Sequence, residues 1–511
     1  MARRDDAALQ ALIDASRSSD TTVRRHAVIA LGIAEHRGGV DALIAALGDK
    51  NVEVRVQAAE SLSHAVDVKA AGPLGKLLDD PEVKVRLAAL RALRLLPTRE
   101  SFDAVRHALD DDRVEVRVAA VEALPHTPSL REESMAVRIR LLGDKEERVR
   151  AAAADALSGA DWALDPLLEA AKDEKLAYRG EAAHVAARLR DYAKAAGQMA
   201  ELQRVILDVF RDRRPEVRAR AAEAAALVGA PEAVEPLIAA LDDDHAELRR
   251  AAAASLGALG NRRAVEPLIP LLADADANVR LAAVESLGRL RWLGRQPAVA
   301  KIIPLAEDDD PAMRIKAVEA LGRLADHRAT DVLVKNLTHA DAPVRLAAAK
   351  ALAQVKDARA VGPLIEYLKR DEPQRRVRQS AILALGAIGD NRATEPLIAI
   401  LTDENAWYGY REAAIKALGR SHDPRAVATL VSAATDPDFV RYVPDRSMDS
   451  NPFDFCRLAA VEVVQFGDAA VKPLREAVRK LSKEDKEGNP KIREIRLRMA
   501  RELLKRIENP K

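Results

Sequence analysis

Ala264-Val265-Glu266-Pro267-Leu268-Ile269-Pro270-Leu271-Leu272, the polar turn Ala273-Asp274-Ala275-Asp276, then Val279-Arg280-Leu281-Ala282-Ala283-Val284-Glu285-Ser286-Leu287-Gly288: this stretch decides the fold. On each side of the turn, apolar residues recur three and four apart, the spacing of one helix face. Gly288 suits a helix C-terminus, so the expected unit is helix, turn, helix. A two-helix unit of this length cannot bury its own apolar face. It must stack on neighbours of the same kind.

The neighbours are present. An apolar residue followed by Arg, two small residues and usually Ala-Leu occurs fourteen times, from Val23-Arg24 to Cys456-Arg457, with tyrosine in the apolar slot at Tyr178-Arg179 and Tyr410-Arg411. The successive arginines are 31, 31, 31, 33, 29, 39, 31, 31, 34, 31, 33, 33 and 46 residues apart. A Pro-Leu pair recurs in the first helix, at Pro73, Pro166, Pro236, Pro267, Pro304, Pro363, Pro396 and Pro473. The expected fold is all-α, an α-solenoid of about 14–15 two-helix repeats. Two breaks in the period suggest a division into 1–192, N-terminal repeats; 193–471, C-terminal repeats with an aromatic insertion at about 436–455; and 472–511, basic C-terminal capping helices.

Composition agrees. Aromatic residues are 3% of the 511, and roughly a fifth of the chain is alanine, which lets helices approach closely. Charged residues reach 32% and apolar ones 48%, which excludes a disordered polyampholyte. No apolar run nears the ~18 residues of a spanning helix, and Met1-Ala2-Arg3-Arg4-Asp5-Asp6 has no apolar signal core, so a cytoplasmic chain without membrane partners is expected. One cysteine, Cys456, rules out a disulfide framework. With 81 basic and 80 acidic residues, nothing draws the whole surface to nucleic acid.

An Asp six residues before the Arg recurs nine times, at Asp49, Asp80, Asp111, Asp144, Asp173, Asp212, Asp243, Asp274 and Asp308. This Asp…Val-Arg-x-Ala-Ala pattern resembles HEAT repeats, and its short alanine-rich form is most similar to the phycobilisome-lyase type. The resemblance covers nearly the whole chain and implies the fold, with Asp and Arg forming a ladder along the stacked turns. Physically, Asp can accept amides opening the second helix and Arg can bridge carboxylates of adjacent repeats. A phosphate-binding arginine stripe is the competing reading. Because the six-before position becomes His339, Glu372, Asn405 and Asn451, the ladder is expected to weaken late in the chain.

The breaks mark what the repeat does not explain. In the 39-residue interval, the extra residues near Asp191–Gln198 read as a lengthened first helix or as a hinge. The 46-residue interval carries the insertion, and eight of the fifteen aromatics lie between 407 and 466. Equivalent turns of successive repeats line up along one edge. Trp407, Tyr408 and Tyr410 should therefore meet Phe439, Tyr442, Phe453 and Phe455, with Arg375 and Arg376 on the adjoining turn. Trp, Tyr and Arg dominate binding hot spots, so this cluster is the candidate partner site, the alternative being a structural aromatic mini-core. The tail 472–511 holds fourteen basic against seven acidic residues, which suits a polar cap or a basic docking helix for an acidic partner. The positions five after each Arg, among them Glu122, Asp155, Glu223, Glu285 and Glu319, form an acidic row that would suit a basic peptide and repel nucleic acid.

No phosphate loop, dinucleotide fingerprint or nucleophile elbow is present. The ten histidines are scattered, with no pair four apart and no His followed by Glu; His36, His327 and His422 sit in polar turns. No catalytic residue, cofactor or metal ligand is therefore expected, and Cys456 reads as a core thiol. The expected function is a non-catalytic scaffold binding another protein or peptide. The alternatives are a chromophore-handling protein like the phycobilin lyases, or nucleic-acid binding through the basic C-terminal region.

Overall fold

The computed structural model describes residues 2–33, 39–290, 295–370, 372–403, 405–435, 452–483 and 490–508. Helices alternate with short turns along it, and no strand occurs among the described residues. The chain is an all-α solenoid divided into two compact units, Met1–Pro236 and Leu237–Lys511. No described helix is long and apolar enough to cross a membrane.

In each unit, the second helices of consecutive repeats pack side by side. In the first unit they include Thr21–Ile33, Val52–Ala65, Val83–Leu93, Val114–Ala123, Glu147–Ser158, Arg179–Arg188 and Pro215–Val228. In the second they run from Ala246–Leu259 through Ala277–Arg289, Pro311–Leu324, Ala342–Val355 and Arg375–Ile388 to Tyr408–Ser421 and Pro452–Val464. Small residues set their separation. A Cβ on Gly386 would lie 2.3 Å from the Ala417 backbone, so the repeats interlock there without side chains. Gly288 belongs to this row. It lies inside Ala277–Arg289 against Ala320 rather than ending the helix as its sequence position suggests.

The arginine ladder has two parts. Most of the arginines first clamp their own turn: Arg55 Nη1 donates to Asp49 O at 2.9 Å, and Arg86, Arg249 and Arg280 reach the equivalent carbonyls at 2.8 Å. Many then bridge to the carboxylate of the next turn, with Arg24–Asp49 at 2.6 Å, Arg55–Asp80 at 2.7 Å and Arg249–Asp274 at 2.8 Å. The Asp is held in turn by the amide two residues on, as from Asn51 to Asp49 at 2.8 Å. Most of these side chains are largely buried, so the ion pairs are part of the packing and not a free cationic stripe. The late weakening does not occur at Glu372, which takes Arg345 bidentately at 2.8 and 3.0 Å and the Gln374 amide at 2.8 Å. Its longer side chain spans the same gap.

A second ladder runs through the turns that open the first helices of the second unit. Asp326, Asp357, Asp390 and Asp423 each accept the amide two residues on, and the arginine there folds back onto the same carboxylate. Thr330 donates to Asp357 at 2.7 Å and Thr394 to Asp423 at 2.6 Å, linking one turn to the next.

The 39-residue interval contains a separate short helix, Arg190–Ala195, followed by a left-handed turn at Gly197 and the next first helix, Met199–Val209. The extra residues add an element, and the first helix is not lengthened. Cys456 is buried, as its place in the valine slot requires.

Candidate functional site

The ladder changes character between Arg378 and Arg411. The turn joining Thr394–Thr402 to Tyr408–Ser421 carries Asn405 where other repeats carry the ladder carboxylate. Asp403, two residues earlier, accepts the Asn405 amide at 2.9 Å. Trp407 caps the second helix with extended backbone, and the Tyr410 amide donates to its carbonyl at 2.9 Å. The indole then folds over Gly409. A Cβ there would lie 2.1 Å from the ring, so only glycine admits this position.

The result is a stack of alternating cations and rings. Trp407 and Tyr410 meet edge to face, 5.1 Å between centroids at 78°. The Arg375 guanidinium lies 5.2 Å over Trp407, and that of Arg378 lies 5.3 Å over Tyr410. Gln379 Nε2 donates to Gly409 O at 3.4 Å, tying the two repeats together. Arg378 therefore meets a π face where counterparts such as Arg55 and Arg249 meet a carboxylate, and its Nη1 donates to Arg370 O at 3.3 Å. Trp407 and Tyr410 are half-buried and Arg375 is exposed, so one side of the stack faces outward.

Electrostatics preserve the arrangement. Burial pushes the Tyr410 hydroxyl up, against the pull of Arg378 and Arg375, so the ring stays neutral. On the adjoining turn, burial opposes ionisation of Glu372. Hydrogen bonds from Arg345, the Tyr367 hydroxyl and the Gln374 amide outweigh it and hold the carboxyl below its ordinary range.

Of the residues expected from sequence, the structure brings together Trp407, Tyr410 and Arg375. Arg378 joins them where Arg376 was expected; Arg376 is exposed and outside the stack. Tyr408 is half-buried on the first turn of the helix. Phe439 and Tyr442 lie outside the described residues. Phe453 and Phe455 fall on the first turn of Pro452–Val464, their side chains likewise outside the description.

The acidic row is less bare than its sequence. Asp155 receives Arg188 at 2.8 Å, Glu223 receives Arg220 at 2.9 Å, Glu285 receives Arg289 at 3.3 Å and Glu319 receives Arg323 at 3.5 Å. Glu462, five residues after Arg457 and so expected on the same face, is buried against Gly419, and burial raises its carboxyl pKa. Among the described residues, no group of three or more His, Cys, Asp or Glu could hold a metal ion.

Known proteins agree with this architecture. No protein of curated function matches the chain at a significant level. Among solved structures, yeast importin-β (Kap95p) is 14% identical with a TM-score of 0.51, covering 97% of this chain and 81% of its own. The karyopherin Kap121p, bound to the extreme C-terminus of the protein phosphatase Cdc14p, is 11% identical with a TM-score of 0.56, covering 98% and 68%. The CpcE–CpcF complex of phycocyanin lyase from Nostoc is 24% identical over 52% of this chain and 94% of its own, with a TM-score of 0.31. The pattern of a PBS lyase HEAT-like repeat matches residues 410–436. That of HEAT repeats matches residues 6–81, 70–158, 203–288, 265–345 and 330–409, most of the chain, which therefore belongs to the HEAT-repeat family.

Proposed function

We propose that the chain is a non-catalytic scaffold that holds another protein, with the Trp407–Tyr410 turn as its principal contact. The observation that carries this reading is the outward-facing stack of Arg375, Trp407, Tyr410 and Arg378. It concentrates the residue types that dominate protein–protein hot spots, each with large area and a polar handle, in a chain otherwise poor in aromatics. The rings are fixed before any partner arrives, which lowers the entropic cost of binding. The fold supports the reading, since solenoids of this kind hold protein segments, as Kap121p holds the Cdc14p C-terminus. The paired carboxylates of the second-helix row argue against a basic peptide as the main occupant.

Affinity capture with the full chain, read by mass spectrometry, tests the proposal. The wild type should retain a partner that the Trp407→Ala, Arg375→Ala double variant loses, with a cost of about 2 kcal/mol or more in binding and little change in melting temperature. Capture of the same proteins by both, or a collapse in stability with undiminished binding by the folded fraction, would make the stack structural.

A further inference from the structure

A second surface lies at the C-terminal end of the second unit, lined by none of the residues of the ring stack. The helices Pro452–Val464 and Pro490–Glu508 pack together but leave between them a groove of about 620 Å³. Ala460 lies on one wall, and Ile495, Met499 and Leu503 supply the apolar surface of the other. Arg457, Arg498 and Arg506 rim it, and among the described residues the one acidic member of the lining, Glu502, is engaged by Arg506 at 3.5 Å.

The groove exists because the interlock fails here. In preceding repeats the eighth residue after the ladder arginine is often a glycine inside the helix, as at Gly386 and Gly419, and the next helix closes upon it. The register is one residue short here, since Glu462, five after Arg457, meets Gly419; the positions seven and eight after Arg457 hold Val464 and Gln465, neither a glycine, at and beyond the end of Pro452–Val464. The apolar face continues past the groove: Val461 is 60% exposed and Val464 38%, while Ile495 is 37% exposed on the facing helix. Arg457, Ala460, Val461 and Val464 are spaced as one helical stripe, and Ile495, Arg498, Met499, Glu502 and Arg506 as another. Contiguous exposed apolar surface with a charged rim marks an interaction site.

We infer that this groove binds an acidic amphipathic helix of a partner protein. Charge complementarity selects the occupant: three arginines surround an apolar floor with a single, already engaged carboxylate. Side by side, the two stripes present apolar positions at Ala460, Val461, Val464, Ile495 and Met499 between arginines, which accept a third helix through anchors at i, i+3, i+4 and i+7 while its flanking Glu or Asp meet the rim. A basic helix is repelled by the same rim.

The experiment uses the full chain and a fluorescein-labelled peptide of about 14 residues, with Leu at i, i+3, i+4 and i+7 and Glu elsewhere, read by fluorescence anisotropy. A second peptide replaces every Glu with Lys. The variants are Arg498→Glu and Val461→Glu; both residues are exposed, and unchanged circular dichroism confirms the fold. We expect saturable binding of the acidic peptide, weakened about tenfold or more by each variant and by the Lys exchange, and falling with salt. Equal binding of the Lys peptide, indifference to both variants, or absence of saturable binding overturns the inference. So does a concentration-dependent dimer abolished by Val461→Glu, which would put a second copy of the chain in the groove, or displacement of the peptide by polyuridylate as the tighter ligand.

Discussion

Tyrosine replaces valine before the ladder arginine in both units, at Tyr178 and at Tyr410, with different consequences. In both places the following arginine is drawn inward: Arg179 Nε donates to Ala171 O at 2.8 Å and Arg411 Nε to Leu401 O at 2.9 Å. Arg179 keeps its ladder contacts, reaching Asp208 at 2.9 Å and Asp212 at 3.3 Å. The Tyr178 ring fits against Gly143, where a Cβ would approach it to 2.6 Å. Tyr410 instead becomes a member of an outward stack, because Trp407 lies over Gly409 and two arginines of the preceding repeat cover the rings. A tyrosine in the valine slot does not build an outward stack by itself. The tryptophan, the glycine beneath it and the missing ladder carboxylate do.

The largest effect separating the two regions should come from Arg179→Met. It leaves the Ala171 carbonyl without its donor and Asp212 with Arg214 alone, at 2.7 Å, which costs about 2–3 kcal/mol. Hydrogen exchange of the first unit is the measurement, because a repeat array need not unfold in two states. Loss of protection confined to the repeats around 164–228 is expected. An effect below about 1 kcal/mol would mean that the carbonyl contact, shared with Arg411, is the whole of its role.

Glycine substitutions come next. Gly143→Ala drives a methyl into the Tyr178 ring beside the packed turn and should cost about 1–3 kcal/mol by overpacking. Gly409→Ala displaces a half-buried indole that can swing outward, so its stability cost should stay near 1 kcal/mol while tryptophan emission shifts to the red. Similar stability losses without a spectral change at Gly409 would place Trp407 in the core. Within the ladder, Arg280 is held by two carbonyls of its own turn, at 2.8 and 3.1 Å, whereas Arg55 adds a bidentate carboxylate. Arg280→Ala should therefore cost about 1 kcal/mol and Arg55→Ala about 2–3 kcal/mol.

The repeat period carried the fold, since thirteen intervals, eleven of them between 29 and 34 residues, leave no other way to bury the apolar stripes. The Val-Arg ladder was legible for the same reason. The second ladder was equally periodic in Asp-x-Arg-Ala at 326, 357, 390 and 423, but the reading stayed with the Val-Arg pair. Choosing Arg376 over Arg378 ignored helix geometry: 375 and 378 lie on one face of Arg375–Ile388, and 376 is turned about 100° away. Glu462 misled because the long interval shifts register. Elsewhere the sixth residue after the arginine, a Ser or Ala such as Ser286 or Ala417, meets the neighbouring glycine, but at Gly419 it is the fifth. The Glu285 and Glu319 pairs were hidden because the sampling looked at one residue per turn and not at its arginine four further on.

The second ladder adds a pH dependence specific to the turns of the second unit. The hydrogen bond from Arg425, helped by Thr394 and the Arg425 amide and opposed by burial, lowers the Asp423 carboxyl to about 2. A depressed carboxyl contributes stability above its unfolded value of about 4 and loses it as pH falls toward 2. Asp423→Asn should flatten the acid limb of the stability curve for this unit while changing little near neutrality beyond the loss of the bridge. An unaltered acid limb would remove Asp423 from the acid response.

The smallest expected effect is the most direct test of the comparison: returning each tyrosine to the valine of the repeat. Tyr178→Val removes a ring from space that Gly143 leaves for it, so a void remains and about 1 kcal/mol should be lost. Tyr410→Val restores the slot residue, and what disappears is one edge-to-face contact and one cation–π contact at a half-buried site, each worth about 0.5–1 kcal/mol. Valine packing offsets part of that, and the net change in melting should be within about 1 °C. Under the scaffold reading, the same variant should weaken the captured partner by about tenfold or more, because the ring is a contact surface. If Tyr410→Val instead melts the last repeats while Tyr178→Val is silent, the two regions exchange roles: the ring stack is the local core, and Tyr178, equally half-buried, is merely accommodated.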